Sequence, residues 1–189
     1  MSDPQTKPEI IERLREIQHG LSATVQPIPS AHFDHGTADA WAPANYLKHM
    51  LLAIKPFAKA ITFPPDALRR RFGTSDRPSL TYAELVARYQ ARLDQGIRAE
   101  DFESVMPTTF RIPDGTADLQ SYLLDLWNEA HDRMIDGLGQ WSEADLDAGA
   151  ILHPALATIT VREMLFFTLY HNALHWNDIR LAVAAQDAL

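Results

Sequence analysis

The sequence has 189 residues, of which 46% are hydrophobic and 22% are charged, and its formal net charge is −8. This length suits a single domain over residues 1–189 with its own buried core. The negative charge argues against a nucleic-acid partner, and the absence of cysteine excludes thiolate ligands, disulfide bonds and a cysteine nucleophile.

Local composition excludes two further classes. No apolar stretch reaches the roughly 18–20 residues that a bilayer-spanning helix needs, so no membrane contact is expected. The N-terminal region is charged at several positions and has no apolar signal segment, which favours a cytoplasmic protein. The arginines at 69–71 are the one basic cluster, and we interpret them as a polar surface.

Apolar residues at helical spacing predict five helices, separated by segments rich in proline, glycine and small polar residues. In chain order, the predicted helices cover residues 8–25, 43–60, 81–95, 117–138 and 160–185. Pro8 and Pro43 suit first-turn positions, because a helix does not use the backbone N–H groups there. Pro56 lies inside the second helix and predicts a kink or an early end.

Capping signals mark the later helices. Two Thr-x-x-Glu segments, 81–84 and 160–163, have the spacing of a capping box, in which each side chain binds the other residue's backbone N–H. Loops are expected at 27–41, 62–80, 99–116 and 153–154, with a short helical turn in the second and another that begins at Ser142. A strand signal is almost absent, so the periodicity alone predicts an all-α bundle.

His171 and His175 are the most informative residues of the sequence. Their four-residue spacing places both imidazoles on one face of the last predicted helix, with Cβ atoms about 5–6 Å apart. That arrangement suits two ligands of one metal ion, but it also occurs in core histidines that bind their neighbours. The residues expected to shield such a site from water are apolar or aromatic: Phe166, Phe167, Leu169, Tyr170, Leu174, Trp176 and Ile179.

His49 supplies a third imidazole. It is the only histidine of the apolar helical run at 45–60. Three imidazoles on two packed helices would form an open metal site, in which water or substrate completes the coordination. The alternative is that the three histidines only clasp the two helices together.

Several short motifs, in a fixed order along the chain, carry a resemblance to a known family. They are Trp41-Ala42-Pro43, His49-Met50, the Trp-Ser-Glu-Ala-Asp-Leu segment at 141–146, His153-Pro154 and the His-Asn-Ala-Leu-His segment at 171–175. With this order and spacing, the sequence resembles the DinB-like family of metal-binding four-helix bundles from about Pro8 to Asp178.

The resemblance implies an up-down four-helix bundle with one long crossover and an extra short helix. It also implies that His49, His171 and His175 bind the metal. This sequence departs from the family pattern at Ala42, where serine is frequent, and at Asp178, where glutamine is common. The first change weakens a helix cap, and the second alters the surroundings of the site.

A set of three histidines without cysteine admits a divalent zinc, nickel, iron or manganese ion. Such an ion would activate a bound water or an incoming thiol. Asp178 shares a helical stripe with the histidine pair, so it is expected to orient an imidazole, to be a fourth ligand, or to lie in solvent beside Arg180. His131 is expected to be partly solvated, and His153 is expected to be structural.

Two functions remain open from the sequence. The resemblance implies a metal-dependent enzyme that acts on a small molecule, either a transferase of low-molecular-weight thiols or a related hydrolase or isomerase. The alternative is a non-catalytic, stress-associated metal-binding bundle. DNA binding is suggested only by the family's name, and the net charge argues against it.

We also expect a homodimer, both from the resemblance and from an apolar stripe on the third predicted helix. This stripe consists of Tyr82, Leu85, Val86, Tyr89 and Leu93. It could contact a second subunit or pack on its own chain.

Overall fold

The computed structural model describes residues 3–36 and 41–186. These residues form eight α-helices and one β-hairpin. In chain order the elements are α1 (Lys7–Val25), α2 (Ser30–Phe33), α3 (Pro43–Ala60), α4 (Pro65–Phe72), α5 (Tyr82–Asp94), α6 (Leu119–Gly137), α7 (Glu143–Ala148), β1 (Ala150–His153), β2 (Ala157–Thr160) and α8 (Val161–Gln186).

The four long helices form a bundle around one continuous apolar core. Helix α1 packs against α6 and α8, and α3 packs against the same two helices. The long crossover between α3 and α6 carries α4, α5 and three 3-10 turns. The predicted all-α four-helix bundle is therefore confirmed.

The predicted helix starts agree with the structure. Both Thr-x-x-Glu segments form capping boxes, at Thr81 and Thr160. A further box at Ser142 opens α7, where the sequence predicted a short turn. At the start of α3, Ala42 offers no side-chain hydrogen bond, as expected for this departure from the family pattern.

Pro56 does not end α3, so the expectation of an early end was wrong. The helix continues to Ala60, and Phe57, Ala58 and Ile61 beyond the proline are all buried. Burying an apolar side chain of this size contributes about 1.5–3 kcal/mol, which helps to offset the backbone hydrogen bond lost at the proline.

Three connections contain more regular structure than predicted. Helix α2 lies inside the expected loop at 27–41, of which residues 37–40 lie outside the described residues. Helix α4 has eight residues, where a single turn was expected. Strands β1 and β2 pair antiparallel, from Ala150 opposite Thr160 to His153 opposite Ala157. Strands of four residues are too short for their alternation to be recognised in the sequence.

Gly20 permits the close approach of α1 and α8. A Cβ atom at this position would lie only 2.2 Å from the ring of Trp176. The Trp176 indole N–H donates to the Thr24 hydroxyl one turn further along α1. Trp176 therefore faces α1 and does not shield the histidines, contrary to the prediction from sequence.

The apolar stripe of α5 packs largely on its own chain. Leu85 is 1% exposed, and the rings of Tyr82 and Tyr89 contact Phe166 and Phe167 of α8. The homodimer stays a prediction, but this stripe is mostly occupied within the subunit. None of the described helices is both long and apolar enough to cross a membrane.

A buried carboxylate fixes the crossover to the start of α8. Glu163 has a fully buried side chain that accepts two hydrogen bonds from the Arg77 guanidinium, at 2.5 and 2.8 Å. It also accepts the backbone N–H groups of Leu80 and Thr160. Burial alone would raise the pKa of Glu163, but these hydrogen bonds outweigh it and lower the pKa.

Replacing Arg77 by methionine should lower the free energy of unfolding by about 3 kcal/mol, because the Glu163 carboxylate would remain buried without its cationic partner. Urea unfolding followed by circular dichroism measures this change. The control is Arg133→Met, which removes an exposed pair with Glu129 and should cost less than about 1 kcal/mol. Equal losses in the two variants would contradict this account of Glu163.

Candidate metal centre

Three histidines meet where α3 packs against α8. His49 comes from α3, and His171 and His175 come from successive turns of α8. One ring nitrogen of each lies within 4.8 Å of the others, which allows the three to hold a metal ion. We call these residues the histidine cluster. Among the described residues, no other group of three histidine or carboxylate side chains meets in this way.

The rings of the histidine cluster are in mutual contact. The ring centroid of His49 lies 5.0 Å from that of His171 and 4.9 Å from that of His175, and the latter two are 4.5 Å apart. Aromatic rings surround them. Trp41 lies edge-on to His49, Tyr46 contacts His175, and Phe167 stacks on His171.

Hydrogen bonds fix the proton position on two of the imidazoles. His49 Nδ1 lies 2.7 Å from the carbonyl oxygen of Val105, and His175 Nδ1 lies 2.9 Å from Asp178 Oδ2. The carbonyl and the carboxylate are acceptors, so the Nδ1–H group of each ring donates. Nε2 of His49 and of His175 is therefore the ring atom that remains for a metal ion.

The third imidazole lies directly against the first. His49 Nε2 and His171 Nε2 are 3.0 Å apart. Two nitrogen lone pairs at this distance repel each other unless a proton or a cation lies between them. For comparison, tetrahedral zinc with bonds of about 2.0–2.1 Å holds its ligand atoms about 3.3 Å apart. The donor set and its spacing therefore fit a divalent ion.

Burial keeps two histidines of the cluster, His49 and His171, in the neutral form that binds metals. Burial, and secondly the neighbouring His175, lower the pKa of His49 to about 4. The same two causes, followed by His49 itself, hold the pKa of His171 well below its usual value. His171 Nδ1 is buried and has no hydrogen-bond partner among the described residues. Both rings are thus uncharged at neutral pH and need not lose a proton to bind an ion.

Asp178 supports the cluster from outside. Its carboxylate binds the Nδ1 side of His175, and it is not part of the group whose ligand atoms converge. Of the three roles open from the sequence, the geometry favours orientation of an imidazole. Val105 plays the matching role for His49. It lies in a 3-10 turn of the crossover, where its backbone carbonyl leaves no signal in the residue type.

The histidine cluster opens into a cavity of about 770 Å³. Its other walls come from the crossover, which contributes residues of α4, α5 and the 3-10 turns, and from the β-hairpin. Of the residues expected to shield the site, only Phe167 and Leu174 line the cavity. Leu169 and Trp176 point away from it, because residues two positions apart on a helix differ in direction by about 200° and these two follow Phe167 and Leu174 at that interval.

Two other histidines differ from their expected surroundings. His131 is fully buried and donates to the carbonyl of Trp127, so the prediction of partial solvation was wrong. Its charged sequence neighbours lie on other sides of α6. His153 ends β1, and it lines the cavity as well as supporting the hairpin turn.

We expect His171→Ala to lose stoichiometric binding of zinc, because only two ligands of the cluster would remain. Metal analysis of dialysed protein and calorimetric titration measure this. His19→Ala, which removes an exposed histidine of α1, is the control and should keep one equivalent. Retention of a full equivalent when His49, His171 and His175 are all replaced by alanine would overturn the assignment.

Asp178→Asn should weaken zinc binding by about 10–100-fold, the usual effect of losing a partner that orients a ligand. An amide accepts the His175 N–H less strongly than a carboxylate does, but the helix stays intact. The loss should be smaller than in His175→Ala. Unchanged affinity would place the carboxylate in solvent, and a loss equal to that of His175→Ala would make Asp178 a ligand.

Fold and site can be compared with known proteins. No family profile matches this sequence, and no curated protein matches it. A solved structure that does match is YfiT from Bacillus subtilis, described as a probable metal-dependent hydrolase with an unusual four-helix bundle topology. The match has a TM-score of 0.64 and covers 99% of this chain and 93% of that chain, at 16% identity. The chain therefore has the YfiT type of four-helix bundle, the fold that its resemblance to the DinB-like family predicts.

Proposed function

We propose that the protein is a metal-dependent hydrolase of small apolar molecules. The observation that carries this proposal is the histidine cluster at the wall of a large and mostly apolar cavity. A volume of about 770 Å³ lies in the usual range for sites that bind small molecules. The description of YfiT as a probable metal-dependent hydrolase supports the same class of reaction.

Different residues would have different roles in such a site. The histidine cluster would hold the ion, with Val105 and Asp178 fixing the orientation of two imidazoles. A bound divalent ion lowers the pKa of a water or thiol and polarises an acyl oxygen. Trp41, Tyr46 and Phe167 restrict the access of bulk water.

The cavity favours catalysis over a purely structural clasp. A structural zinc site usually closes with four protein ligands, whereas three converge here among the described residues. A position on the ion would therefore face the cavity, where a substrate could reach it. The non-catalytic alternative predicts a site that excludes small molecules.

Thiol transfer is a second proposal, and the room in the cavity favours it. A chain without cysteine needs a thiol from outside, and this space could hold a thiol together with an electrophile. The nucleophile distinguishes the two reactions. Water attacks in hydrolysis, whereas an added thiol attacks in transfer and appears in the product.

Zinc-loaded protein should hydrolyse 4-nitrophenyl esters with apolar acyl groups, and His171→Ala should be slower by about 100-fold or more, as when a group that stabilises the transition state is lost. Release of nitrophenol measures hydrolysis. Product analysis with added N-acetylcysteine identifies the thioester, which forms as nitrophenol leaves, and so tests transfer. Equal rates in the wild type and His171→Ala would contradict a metal-dependent reaction, and His19→Ala serves as the control.

A further inference from the structure

His153 is held in one orientation by the hairpin turn. Its Nδ1 atom accepts the backbone N–H groups of both Ala155 and Leu156, each at 3.1 Å. The residue is 5% exposed, and its ring contacts Phe167 with centroids 4.2 Å apart. The side chain therefore has little freedom to rotate.

These hydrogen bonds determine where the ring carries its proton. Burial, and secondly the charge of Arg88, lower the pKa of His153 to about 4, so the ring is neutral at pH 7 and carries one proton. Nδ1 accepts two backbone N–H groups and cannot carry that proton. It must lie on Nε2, which is a hydrogen-bond donor of fixed direction.

The Nε2–H group of His153 has no acceptor among the described residues, and His153 lines the cavity. It also lies close to the histidine cluster, because the ring of Phe167 contacts both His153 and His171. A ligand in the cavity could thus approach both the cluster and this N–H group.

The support of the hairpin comes from helix α5. Arg88 donates to the carbonyl of Leu156 at 2.8 Å, and Arg92 donates to that of Ala155 at 3.2 Å. Both carbonyls belong to the residues whose N–H groups bind His153. The turn is therefore held from two directions, and His153 is a pre-organised donor that needs no rearrangement to bind.

The walls beside this donor are apolar. Leu152, Met164 and Phe167 line the cavity around His153, together with the ring of Tyr89. We propose that His153 positions the substrate by donating its Nε2–H to a substrate oxygen, and that the substrate is an acyl compound whose apolar group occupies this cavity. This inference rests on the proposed function and adds the substrate class to it.

Two substitutions distinguish the two roles of His153, which are to donate from Nε2 and to support the turn by accepting at Nδ1. In His153→Asn, the amide oxygen can take the place of Nδ1 and accept the backbone N–H groups, but no distal N–H remains. In His153→Gln, the amide N–H can reach the place of Nε2, but the proximal acceptor is lost. A purely structural His153 would tolerate asparagine better, whereas a substrate donor would tolerate glutamine better.

The probe is 2-naphthoate, an aromatic carboxylate with an apolar body, titrated into metal-free and zinc-loaded protein by calorimetry. We expect His153→Asn to bind it about tenfold more weakly than the wild type, since hydrogen bonds to a charged group have about this effect. His153→Gln should stay within about threefold of the wild type but melt at a lower temperature. Both variants should still bind zinc.

The following results of the titration would contradict one or both proposals. Equal affinity of His153→Asn and the wild type would overturn the proposal, as would an equal loss in a folded His153→Gln, which would assign the effect to ring packing. If 2-naphthoate binds the wild type in neither metal state, this inference and the proposed substrate class both fail. Binding that zinc does not improve, but that His153→Asn weakens, would support His153 and contradict the metal-dependent function.

Discussion

The packing of α3 against α8 is the contact on which the site depends. It brings His49 from one helix against His171 from the other, with their Nε2 atoms 3.0 Å apart, although 122 positions separate them in the sequence. The same packing buries both rings, and burial disfavours the charged imidazole. The packing of α3 against α8 therefore causes both the convergence of the two rings and their burial. If α3 and α8 separated, the rings of His49 and His171 would lose both their mutual position and the burial that keeps them neutral.

Buried polar atoms near the cluster lower the stability of the protein when no ligand is bound. His171 Nδ1 and the neighbouring Asn172 Oδ1 are buried without hydrogen-bond partners among the described residues, and each such atom costs about 1–3 kcal/mol. Leucine at position 171 would fill the space without that cost. Residues that lower stability, in a bundle that is otherwise regular, are typical of functional sites. Here one of the two atoms belongs to His171 of the histidine cluster, and the other belongs to the residue that follows it.

The sequence predicts the parts of this protein that depend on local spacing. Helical periodicity and the two Thr-x-x-Glu boxes locate the long helices, and the interval from His171 to His175 defines two of the three residues of the cluster. His49 is predicted as the third imidazole because it is the only histidine of the apolar run at 45–60, and the family resemblance assigns it to the metal site; the meeting of two helices itself leaves no local pattern. The burial of His131 was missed because its neighbours are charged, although a helix turns them to other faces. The Val105 carbonyl was missed because every residue has one.

The site therefore combines two kinds of support. The histidine cluster lies on long helices of the bundle, which fix distances well, while other walls of the cavity come from the crossover between α3 and α6 and from the hairpin. Metal affinity should depend on the bundle, and substrate choice on the connections, which can change without disturbing the core. His153 illustrates this division. It lies at the end of a four-residue strand, and its ring proton is placed by the turn that follows it. A change in that turn would alter the direction of the His153 Nε2–H group, while the three imidazoles would keep their positions.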